Sequence, residues 1–62
     1  MIAELKIGLF WTGKAATLAF ELYRVNIEKG MYGNADHFHK MWQEAEKAAN
    51  AIKACIEENE KG

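Results

Sequence analysis

Apolar side chains recur at helical spacing from Ile2 to Lys29, and they cover far more than one helical face. Leu5, Leu9, Phe20, Tyr23 and Ile27 form one flank, and Ile7, Trp11, Leu18, Leu22 and Val25 form another roughly 140–160° away at 100° per residue. Between the flanks runs a seam of small residues, Gly8, Thr12, Ala15, Ala16 and Ala19, where a second backbone can approach closely. The polar strip of Lys6, Lys14, Thr17, Glu21, Arg24 and Glu28 is narrow. With an apolar arc of roughly 200°, a helix over residues 2–29 needs more than one neighbour.

The stretch Gly30-Met31-Tyr32-Gly33-Asn34 is the clear breaker in the chain. Gly30 suits the left-handed residue that ends a helix, and Asn34 or Asp36 suits the cap of the next. A second helix over about 35–59 carries a narrower stripe: Phe38, Met41, Trp42, Ala45, Ala48, Ala49, Ile52, Cys55 and Ile56. Its outer face, His39, Lys40, Gln43, Glu46, Lys47, Asn50, Lys53 and Glu57, reads as a solvated surface. Carboxylates at the carboxyl end oppose the helix dipole and predict fraying there. So short a connection makes the two helices antiparallel neighbours, and the fold expected is an all-α two-helix hairpin, one domain spanning residues 1–62.

Sixty-two residues give a core that is marginal unless something else reinforces it. A lone Cys55 excludes an intramolecular disulfide, and no clustered Cys/His set suggests a structural metal. Oligomerisation is the remaining reinforcement. The expectation is a homodimer, an antiparallel four-helix bundle in which helix 1 packs on its own mate through Gly8, Trp11, Thr12, Ala15, Ala19 and Leu22. Eight basic and nine acidic residues leave no global field for nucleic acid or an anionic membrane. The amino terminus lacks the pattern of a secretory signal, and Lys6, Lys14, Glu21 and Arg24 interrupt the longest apolar run, so a cytoplasmic protein is expected.

Candidate chemistry is sparse. His37 and His39 point about 200° apart on a helix, so with Asp36 they make a poor metal set. There is no serine, and Cys55 lies on the apolar stripe far along the helix from His37, where it reads as a small core residue. Neither an enzyme, a cofactor nor a small-molecule substrate is expected. Phe10 is different, because it falls on the polar strip among Lys6, Gly13, Lys14 and Thr17, and neither flank of the core explains it. An aromatic among basic groups is the kind of anchor that partner surfaces use. With Arg24 further along the strip and Tyr32 in the turn, these residues are the expected partner-binding set.

The function expected is a non-enzymatic homodimeric module that binds another protein as inhibitor, adaptor or regulator. The proposed architecture also resembles the Rop family of plasmid copy-number regulators, hairpins that dimerise into four-helix bundles and grip paired RNA loops with the exposed strip of their first helices. That resemblance implies an RNA-binding alternative in which Lys6, Phe10, Lys14 and Arg24 supply the basic and aromatic contacts. A third reading turns the wide apolar arc of helix 1 toward a membrane surface, but amphipathic surface helices carry more basic residues at the boundary, and no membrane is expected as partner.

Overall fold

The computed structural model describes residues 2–61, which form two antiparallel helices, α1 (Ile2–Glu28) and α2 (Tyr32–Lys61). The hairpin is a rod of 49 × 14 × 11 Å. Its radius of gyration is 14.3 Å, against about 10.6 Å for a globule of this length. There is thus no enclosed interior, and everything depends on which faces meet.

The turn is tighter than the sequence suggests. Gly30 adopts the left-handed conformation, with φ of 73°. Its N–H donates to Ile27 O at 3.0 Å, and Met31 N–H donates to Asn26 O at 2.8 Å. That pair of bonds is a Schellman closure, which satisfies carbonyls that α1 would otherwise leave bare. Met31 then takes the cap position of α2 itself, its carbonyl accepting from Ala35 N–H at 2.9 Å. Neither Asn34 nor Asp36 caps the helix. Both lie inside it, where Asp36 meets Lys40 one turn on at 3.2 Å. At the far end α2 remains helical through Lys61, where fraying was expected.

The helices meet along small residues. Ala16, Ala19, Ala35 and Ile56 are buried, and no large side chain among the described residues is fully so. On α2 the contact seam is a strict heptad of Ala35, Phe38, Trp42, Ala45, Ala49, Ile52 and Ile56, alternating steps of three and four. On α1 it comprises Leu5, Gly8, Leu9, Thr12, Ala16, Ala19 and Tyr23. A Cβ on Gly8 would sit 3.4 Å from Ile52 Cδ1, so the tip of the Ile52 side chain already fills the space over Gly8. Thr12 fits this seam because its hydroxyl donates back to Gly8 O at 2.9 Å and Leu9 O at 3.1 Å.

This arrangement corrects the assignment of the small-residue seam. Ala19, only 3% exposed, is taken up by the chain's own second helix, and Gly8 and Thr12 are half-buried on the same side of α1. Trp11 and Ala15 are exposed and Leu22 is half-buried, so these three remain open. The α2 stripe divides as well. Met41, Ala48 and Cys55 fall off the heptad and stay exposed, so Cys55 is not a core residue. His39, read from sequence as solvated, is half-buried between Tyr23 and Trp42, with ring centroids at 5.2 and 5.5 Å.

Candidate functional site

Two surfaces follow from how the helices are turned. Ile7, Trp11, Leu18, Leu22 and Val25 lie about 120° round α1 from its contact seam, and Met41, Ala48, Ala51 and Cys55 lie about 100° round α2 in the same rotational sense. Because the helices run antiparallel, equal senses bring both groups to one side of the hairpin. That side is broad and largely apolar, with Trp11 64% and Leu18 58% exposed, and the exposed His37 and Glu44 stand on it in step with Met41 and Ala48. The opposite side is closed by Phe20 on Trp42, at 5.3 Å between centroids, and by Tyr23 on His39. Arg24, Gln43, Glu46 and Lys53, all exposed, lie along this second, polar side.

The second surface is the outer edge of α1, which borders the apolar face at Leu18. Here Leu9, Phe10, Gly13, Lys14, Thr17, Leu18 and Glu21 line a shallow groove. Phe10 is 55% exposed. Its ring stands edge-on to Trp11, with centroids 5.2 Å apart and planes at 86°, so one end of the ring is fixed against the apolar face. Lys14 Nζ lies 5.4 Å from the Phe10 centroid, a cation–π contact of about 0.5–1 kcal/mol at an exposed site. Thr17 spends its hydroxyl proton on Gly13 O at 3.1 Å, leaving its oxygen as an acceptor.

The predicted partner-binding set is therefore only partly one site. Phe10, Lys14 and Thr17 line the groove together, and the exposed Lys6 lies one turn before it. Arg24 is fourteen residues from Phe10, about 21 Å along the axis. Tyr32 sits in the first turn of α2, where it lines a separate hollow with Tyr23, Ile27, Ala35, Asp36 and His39.

Gly13, a neighbour of Phe10 by helical spacing, lines the groove beside it. A Cβ there would meet nothing within 4 Å, so packing does not demand glycine, yet its presence weakens a helix interior by about 1 kcal/mol relative to alanine. Gly13→Ala is expected to raise the thermal midpoint of the hairpin in a circular-dichroism melt, with a gain of about 0.5–1 kcal/mol. If the open floor beside Phe10 serves a partner, the same substitution weakens binding while it strengthens the fold.

Among the described residues, no group of three His, Cys, Asp or Glu side chains is close enough to hold a metal ion, and no helix is long and apolar enough to cross a membrane. No family model, curated protein or solved structure matches the chain.

Proposed function

We propose that the chain is a non-enzymatic homodimeric module of the cytoplasm whose task is to occupy a surface on another protein. The observation that carries this reading is the placement of Phe10: exposed, fixed by Trp11, topped by Lys14, and set beside an open groove that the hairpin's own packing does not use. A rigid aromatic anchor beside a charged group delivers contact area at little rotamer loss. The groove ends in a mixed pair, Lys14 and Glu21, which suits a partner of mixed charge better than the uniformly anionic backbone of RNA.

Affinity capture from the native cell lysate, with wild type beside Phe10→Asp, tests the reading. Loss of a specific protein with the hairpin's helicity and mass unchanged is the expected result. Capture unaffected by the substitution overturns the Phe10 surface. Retention of RNA, falling steeply between about 50 and 200 mM salt, would replace this reading with the RNA-binding one.

A further inference from the structure

Near the turn a shallow hollow opens between the helices, on the side closed by Tyr23 and His39 and apart from the Phe10 groove. Its volume of about 280 Å³ falls just under the roughly 300–1,000 Å³ of sites for drug-sized ligands, so it suits a small group. Ala35, 1% exposed, forms its floor, and Ile27 adds apolar surface. Tyr23 and His39 line it with ring centroids 5.2 Å apart and planes tilted by 52°, which makes a corner rather than a flat stack. Tyr32 joins them from the first turn of α2. Its side chain is 67% exposed and, among the described residues, has neither a ring contact nor a hydrogen bond. The hairpin's own packing therefore gives Tyr32 nothing to do.

With His39 counted as neutral, the lining carries one formal charge, and it is negative. Asp36 supplies it, and no lysine or arginine lines the hollow. Lys40 reaches Asp36 at 3.2 Å, but the two side chains are 71% and 66% exposed. An ion pair of that kind contributes little, and a better cation can displace it. On α1, Arg24 and Glu28 flank the hollow with opposite charges. The carboxyl end of α1 and the amino end of α2 also meet there, so their dipole ends offset one another. The local preference is thus set by one carboxylate and the faces of two tyrosines, which attract cations through the ring quadrupole.

The kind of cation follows from the rest of the lining. A primary ammonium is a compact, strongly hydrated charge with three donors to satisfy, and Ile27 and Ala35 offer it no acceptor. A methylated ammonium has few or no N–H donors, and its methyl groups can rest on those same apolar side chains. We infer that the hollow is a binding site for a methylated ammonium group, cradled by Tyr23, Tyr32 and His39 with Asp36 as its counter-ion. The site is separate from the Phe10 surface and stands or falls without it.

Titration of the full chain with choline chloride tests this, read by the NMR shifts of the Tyr23, Tyr32 and His39 ring protons at about pH 8, where an ordinary imidazole is neutral. A dissociation constant of about 1–10 mM is expected for so open a site. The uncharged tert-butyl analogue of choline should bind at least about fivefold more weakly, because it has the shape without the charge. Tyr32→Leu and Asp36→Asn, both at exposed positions, should each weaken choline by about two- to fivefold with helicity unchanged. Lys40→Gln should tighten it by about the same factor, since Asp36 is then released. Blocked trimethyllysine run beside choline separates a modified protein side chain from a free small cation by which of the two binds more tightly, and blocked lysine should bind more weakly than either. No ring shift at about 50 mM choline overturns the inference. So does a neutral analogue or blocked lysine that binds as well as the methylated cations, or wild-type affinity in both Tyr32→Leu and Asp36→Asn.

Discussion

Ala19→Leu is expected to lower the thermal midpoint of the protein more than any exposed substitution of equal volume. Ala19 is 3% exposed on the side of α1 that packs against α2, and the neighbouring contact of Phe20 with Trp42 sets it level with Trp42. Three added carbons have no space there, and α1 must move away from α2 along its length. Overpacking of this kind costs typically about 1–3 kcal/mol. A core in this size range rarely supplies more than about 3–5 kcal/mol, so the loss is a large share of what holds the hairpin. A circular-dichroism melt measures it, with Ala54→Leu as control. The control adds the same volume at an exposed α2 position and should leave the midpoint unchanged or slightly raised. Equal behaviour of the two variants would mean that the small residues are not what sets the helix spacing.

Leu18→Glu should have the opposite profile, little effect within one hairpin and a large one between two. Leu18 is 58% exposed, so its removal takes little from the contact with α2. In the proposed dimer it lies on the covered face, and both copies lose it at once. Each buried leucine contributes about 1.5–3 kcal/mol, so association should weaken by about 3–6 kcal/mol, more than a hundredfold in dissociation constant. Sedimentation velocity should show the variant as a monomer at concentrations where wild type is paired. A variant that remains dimeric would move the interface off this face.

Much of the hairpin was legible in the sequence because its strongest signals are local. Gly30 could be read as the end of α1, since only a residue without a Cβ takes φ of 73° without strain, and two long segments joined so briefly must lie antiparallel. The restart of α2 was misplaced because Tyr32 and Gly33 have turn-like composition. The Schellman bonds close the turn by Met31, and nothing prevents the next residues from being helical. The destination of the small-residue seam was not legible for a different reason. Gly8, Ala16 and Ala19 admit any close backbone, and only the strict heptad of α2, which supplies its own alanines at 45 and 49, decides that the backbone belongs to the same chain. Met41, Ala48 and Cys55 looked like core for the same reason. A stripe of steps of three and four is two residues wide, and the sequence does not say which edge faces inward.

Phe10 was recognisable because it breaks the pattern of α1, an aromatic on the strip where charges sit. Helical spacing places Gly13 beside it, but not the groove above Gly13. It takes the structure to show that no neighbour fills the space above it.

The account stands on the broad apolar face being buried against a second copy. Its most direct measurement is the molar mass by sedimentation equilibrium between about 1 and 100 µM, with thermal midpoints taken across the same range. The account predicts twice the 7.0 kDa chain mass and a midpoint that rises with concentration. A single-chain mass at 100 µM, with a midpoint independent of concentration, would contradict it.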